Sequence, residues 1–122
     1  VDIRKLDRAA LGPQNGHSQR LLPWPALNAP FEGAWNVVRD GTSTTMHAHH
    51  EYEIFVAVSG EAELLSAGER AKFAAGDIVF FPPGADHQVI NDSGRDFEMF
   101  SVWWDGDMSN RFQARHAGEG QS

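Results

Sequence analysis

The chain has 122 residues, 41% of them hydrophobic and 22% charged, which is enough for one packed domain and too few for two. Ten Lys and Arg against 17 Asp and Glu give a formal charge of −7, with no basic run longer than two residues, so a nucleic-acid partner is not expected. No apolar stretch approaches the ~20 residues of a membrane span, and with no cysteine any metal must be held by imidazole and carboxylate.

Residues 1–11 place Ile3, Leu6, Ala10 and Leu11 at roughly helical spacing before Gly12-Pro13, although an extended arm fits so short a segment equally well. The charges of Asp2, Arg4, Lys5, Asp7 and Arg8 argue against a secretory leader there, so a cytoplasmic protein is expected. Residues 12–34 are rich in Gly, Pro and Asn and read as irregular chain anchored by Leu21, Leu22, Trp24 and Phe31, making 1–34 an arm on the domain. From Trp35 onward short β-prone runs recur at 35–39, 45–49, 53–58, 61–66, 70–73, 77–81, 86–91 and 96–104, broken by Gly and Pro turns. Closely spaced short strands indicate an all-β sandwich or barrel over 35–105. The run 97–105 carries bulky residues on both parities, so one face enters the barrel while the other needs a cover, for which a homodimer partner is the favoured expectation. Asp107 is an N-cap candidate for a short helix over 107–116 with Met108, Phe112 and Arg115 on one face, and 117–122 read as a polar tail or linker.

Two segments carry the chemistry. In the first, Gly41 is followed at fixed intervals by His47, His49, Glu53 and Gly60, with His47, His49 and Glu53 sharing strand parity if the chain bends between them. In the second, Gly76 is followed by Pro82, Gly84, His87 and Asn91, with the Pro-Pro-Gly corner turning the chain so that His87 heads a returning strand. Imidazoles and a carboxylate aimed into one space suit a borderline divalent metal. Glu51 shares the ligands' parity and is a candidate base at the cavity or its rim. His50 has the opposite parity and reads as a surface residue, while His17 and His116 read as solvated. Tyr52, Phe55, Phe80 and Phe81 read as packing residues.

The spacings G-x5-H-x-H-x3-E-x6-G and G-x5-P-x-G-x2-H-x3-N match both signature motifs of the cupin superfamily, and the 15 residues between Gly60 and Gly76 resemble its most common spacing. That resemblance implies a single jelly-roll β-barrel of about six to eight antiparallel strands. It also implies a dimer, and a metal on His47, His49, Glu53 and His87 with open positions facing the barrel mouth. Zinc leads among the metals, with iron, manganese, nickel and copper as alternatives. The retained carboxylate of Glu53 argues against thiol dioxygenases, which keep three histidines alone.

A narrower resemblance joins HAHHEYE to the ending FEMFSVWWDGDMSNRFQARH. These segments are similar to the zinc-binding cupins of bacterial hydrazine synthetases, which work beside or fused to a methionyl-tRNA-synthetase-like protein. It implies an amino-acid-like substrate: an ester of an N-hydroxylated diamino acid, rearranged with formation of an N–N bond, with Glu51 or Glu53 taking the amine proton. The alternatives are an Fe(II)-dependent oxygenase, a metal-dependent isomerase or lyase acting on a small organic acid, and a metal-dependent ligand-binding module.

Overall fold

In a computed structural model, residues 2–12, 17–20 and 30–116 are described, together with the side chains of all of these except His116. After a 3-10 turn at Arg8–Ala10 come β1 (Ser18–Arg20), β2 (Glu32–Val38), β3 (Thr42–Ser43), β4 (Tyr52–Ser59) and β5 (Glu61–Ser66). β6 (Glu69–Ala74), β7 (Ile78–Phe81), β8 (Gln88–Asn91), β9 (Phe97–Trp104) and the helix α1 (Gly106–His116) follow. Every strand pairing is antiparallel, in a five-stranded sheet ordered β1-β2-β9-β4-β7 and a four-stranded sheet ordered β3-β8-β5-β6.

Alternation sorts the strands into two faces. Phe55 and Ala57 of β4, Phe81 of β7, and Phe97 and Met99 of β9 point inward from the larger sheet. Ala62, Leu64, Phe73 and Val89 point inward from the smaller one, and together these residues form the core at one end of the barrel. Phe80, expected in that core, lies on the outer face and is 52% exposed, because it follows Val79 and precedes Phe81 on a strand whose odd-numbered residues turn inward. Tyr52 packs as expected, its ring stacked on Trp104 at 5.6 Å and on Phe80 at 6.1 Å.

The outer faces of the two sheets differ. Beside that aromatic stack, Val56, Val58 and Ile78 leave the larger sheet apolar and exposed. The smaller sheet carries Arg70–Glu63 and Lys72–Glu61 ion pairs, and the ammonium of Lys72 bonded to Glu61 holds that carboxyl below its ordinary range.

Several boundaries differ from the sequence reading. Residues 18–20 and 32–34, expected as irregular, are strands, because β1 and the start of β2 extend the sheet beyond β9. The segment 45–49, expected as a strand, is irregular apart from one backbone pairing, His47 opposite His87. Just before it, Thr44 ties the chain to β8 by backbone and side chain together: its amide donates to the Val89 carbonyl, its Oγ1 accepts from the Val89 amide and Gln88 Nε2 donates to its carbonyl, each at 2.9 Å. At the N-terminus only the 3-10 turn is helical, capped by Asp7 accepting from the Ala9 amide. The cap of α1 is Asp105 rather than Asp107, since Asp105 Oδ1 accepts from the Met108 amide at 2.8 Å. Asp107 pairs instead with Arg111 one turn on. Leu21, Leu22, Trp24 and the tail 117–122 lie outside the described residues, as does the side chain of His116.

Candidate metal centre

Two of the motif glycines have different tasks. Gly60 has φ +85° and sits so close to β9 that a Cβ would stand 2.7 Å from the Asp96 carbonyl oxygen, so a side chain there would push two strands apart. Gly84 has φ +83°, and its amide donates to the His49 carbonyl at 2.8 Å. The corner of the second motif therefore braces a histidine of the first. The backbones of His47 and His87 bond to each other directly, at 3.0 and 3.3 Å. Asn91 closes the arrangement below, its amide donating to the carbonyls of Val38 and Arg95 at 2.8 and 2.7 Å.

This scaffold brings together the four residues singled out by their spacing. The ring centroids of His47, His49 and His87 lie 4.5 to 5.4 Å apart. A bend at 50–51 lets Glu53 rejoin the histidines from the first turn-in of β4. Glu53 Oε1 then lies 3.1 Å from both His49 Nε2 and His87 Nε2. Burial is graded, from exposed His47 through half-buried His49 to buried Glu53 and His87.

The outward nitrogens explain why the inward ones converge. Nδ1 of His47 donates to the Thr45 carbonyl at 2.7 Å, and Nδ1 of His87 to the Ala85 carbonyl at 3.2 Å. Both bonds fix the tautomer that leaves Nε2 as a lone-pair donor toward the site. His49 Nδ1 faces Glu51 Oε1 at 3.6 Å, beyond hydrogen-bond length. Glu51 thus lies behind His49, on the cavity wall. His87 Nε2 is buried without a hydrogen-bond partner, an arrangement that costs free energy unless something occupies the space in front of it.

A divalent ion fits that description. One ligand atom from each of the four side chains lies within 4.8 Å of the others, and donors ~2.1 Å from a common ion stand at most ~4.2 Å apart, so small side-chain adjustments suffice. Three imidazoles and a carboxylate are also the donor set that first-row divalent metals accept.

The ligand group opens into a cavity of about 520 Å³, within the range of small-molecule sites. Its far wall went unrecognised in the sequence: Ser18 of β1, Asn36 of β2, and Ser101 and Trp103 of β9. Asn36 and Ser101 are buried polar residues at inward positions of strands otherwise filled with bulky side chains, and that alternation was the available signal. His17, expected in solvent, is half-buried and lines this cavity, held by a bond between its Nδ1 and the Val37 carbonyl at 3.2 Å. His50 is a surface residue as expected, with a side chain 76% exposed and 3.6 Å from Asp105.

Residues 35–103 match the family model for the cupin domain. The chain belongs to the cupin family. This cupin is similar to the crystal structure of a cupin 2 conserved barrel domain protein from Salinispora arenicola, with 54% identity and a TM-score of 0.84 over 95% of this chain and 98% of that one. A Photorhabdus luminescens protein is 36% identical with a TM-score of 0.80, over 93% and 95% of the two chains. The oxalate-binding protein of Thermotoga maritima is 32% identical over 63 residues, 51% of this chain and 52% of its own length. The chain spans between about half and three fifths of the curated relatives it matches. No helix among the described residues is long and apolar enough to cross a membrane.

Proposed function

We propose that this cupin holds one divalent metal ion on His47, His49, Glu53 and His87 and uses it to act on a small polar molecule in the adjoining cavity. The observation that carries this reading is the buried, unpartnered Nε2 of His87 facing Glu53 and two further imidazoles. A bound ion would supply Lewis acidity to a ligand oxygen or nitrogen at the coordination positions left open. Metal analysis of the purified protein tests it: one equivalent per chain is expected. Chelation should lower the melting temperature by several degrees, since a ligand at ~100 times its Kd adds ~2.7 kcal/mol. Sub-stoichiometric metal after reconstitution, with no thermal shift, would overturn the reading.

A narrower reading rests on the likeness of the 97–116 segment to hydrazine-forming zinc cupins, with a methionyl-tRNA-synthetase-like partner supplying the ester. The attacking amine nitrogen bonds to the acylated hydroxylamine nitrogen, the N–O bond breaks, and the electron pair leaves with the carboxylate. Glu53 is taken up by the imidazoles on either side, so Glu51 is the carboxylate left to accept the amine proton. Such a step is redox-neutral and is served by zinc. Hydrazine product from an ester of N6-hydroxylysine under anaerobic conditions supports it, and oxygen consumption on adding Fe(II) and a small organic acid points to the oxygenase instead. Metal and ligand binding without turnover of either substrate leaves the binding-module reading.

We propose also that a second copy of this chain covers the outer face of β4, β7 and β9. Ile78 is 67% exposed and Phe80 52%, and Tyr52, Ile54, Val56, Phe100, Val102 and Trp104 continue the face without charge, while Glu98 at the start of β9 is paired with Arg8. Light scattering should give a dimer for the native chain and a monomer for Phe80→Lys. A monomeric native chain refutes it.

A further inference from the structure

The cavity is lined by a cation that the metal reading does not use. Arg20 ends β1, on the same parity as Ser18, and among the described lining residues it is the only Lys or Arg. Its guanidinium lies over the Trp103 ring at 5.5 Å from the centroid and 3.8 Å from Glu32 across the strands. The aromatic face fixes the plane of the guanidinium. The contact with Glu32 is long and exposed, so it yields readily to a better placed anion.

The wall between Arg20 and the metal ligands sharpens the point. Ser18 Oγ donates to Asn36 Oδ1 at 2.6 Å, and Asn36 Nδ2 donates to Ser101 Oγ at 2.8 Å and to the Ala34 carbonyl at 3.2 Å. Ser101 Oγ in turn donates to the Ala34 carbonyl at 3.4 Å. The side-chain donors of Ser18, Asn36 and Ser101 are used within the wall. Those three residues therefore present oxygen lone pairs to the cavity. Beside them Arg20, over the Trp103 ring, is the one Lys or Arg among the described lining residues and supplies the charged N–H donors for a carboxylate.

We propose that Arg20 is the specificity-determining residue of this site, and that the ligand is a small two-ended anion. One end offers a donor atom to the cluster of His47, His49, Glu53 and His87, and the other offers a carboxylate to Arg20. The inference rests on the metal reading above and names the ligand class for that site.

The test uses the full chain reconstituted with Zn²⁺, with metal content measured on every sample. The probes are the unbranched dicarboxylates from malonate to adipate, each titrated calorimetrically against its monoamide, which keeps length and shape but loses one charge. At least one length should bind tenfold or more tightly as the diacid than as the monoamide. Arg20→Gln should erase that preference while leaving zinc content and the monoamide's affinity within twofold, and Arg20→Lys should restore part of it. A native protein that holds zinc yet prefers no diacid overturns the inference and leaves the metal reading standing. Equal losses for diacid and monoamide in Arg20→Gln also overturn it. Failure to hold zinc overturns the metal reading itself, and this inference falls with it.

Discussion

Two walls enclose the same cavity and treat their polar groups in opposite ways. The wall made by the 44–51 crossing, β4 and the turn before β8 turns imidazole nitrogens toward one another and toward Glu53, and leaves His87 Nε2 and His49 Nδ1 buried without a hydrogen-bond partner. The wall made by β1, β2 and β9 pairs its small polar side chains with one another, through the Ser18–Asn36–Ser101 chain. Buried polar groups are normally paired, so the unpaired wall is where a ligand atom belongs and the paired wall is where shape is set. The contrast separates chemistry from scaffolding within one pocket. Burial alone would not, since Asn36 and His87 are both buried.

The largest effect is expected on removing a group from the unpaired wall. His87→Ala should weaken metal binding by at least ~100-fold, measured by competition with a chromogenic chelator, because a four-donor site spreads some 10 kcal/mol or more over its ligands. Retention of native affinity would mean that the unpaired nitrogen has another purpose. On the paired wall the effect should move from metal affinity to stability. Asn36→Leu strands Ser18 and Ser101 without their partner and should cost about 1–3 kcal/mol in urea unfolding. Its metal affinity should stay within about threefold, and a larger loss would show that the walls are coupled.

Glu51 sharpens the boundary between them. It stands 3.6 Å behind His49 Nδ1 without a hydrogen bond, so Glu51→Gln removes a negative charge near the site rather than an orienting bond and should weaken metal binding by no more than about tenfold. Binding unchanged by that substitution would leave Glu51 to the ligand rather than to the metal. The smallest effect is expected at His50, whose side chain faces solvent beside Asp105. His50→Ala should leave metal content and melting temperature unaltered, and loss of metal there would reverse the facing of the whole 47–51 segment.

The unpaired wall was the legible one. Its candidate ligands occur at fixed intervals in two short segments and could be read from that spacing alone, although 45–49 is irregular rather than a strand; the Pro-Gly corner before His87 is local as well. The β-class and most strand positions from 52 onward were legible for the same reason. The paired wall was not, because Ser18, Asn36 and Ser101 are far apart in sequence and ordinary in type, and they become a ladder only through the register Ser18↔Asn36 and Ala34↔Ser101. β1 was hidden inside a Gly- and Pro-rich stretch, and three residues carry too little periodicity to announce a strand. Phe80 shows the same limit at one residue. Its type reads as core, while its facing depends on the parity that Phe81 and Val79 take against β4.

By itself, then, the sequence determined which four residues form the candidate metal-binding group, the cupin barrel and the absence of cysteine donors, since these depend on residue types at short intervals. The tertiary structure decided which nitrogen of each histidine faces the site, that Glu53 lies between two imidazoles, and that Asp105 rather than Asp107 caps the helix. It also decided that Arg20 reaches the same cavity as His47 from the other sheet edge. The physical reason is common to all of these: tautomer, facing and proximity are set by hydrogen bonds and strand registers between segments distant in the chain, and no local pattern of residues encodes them.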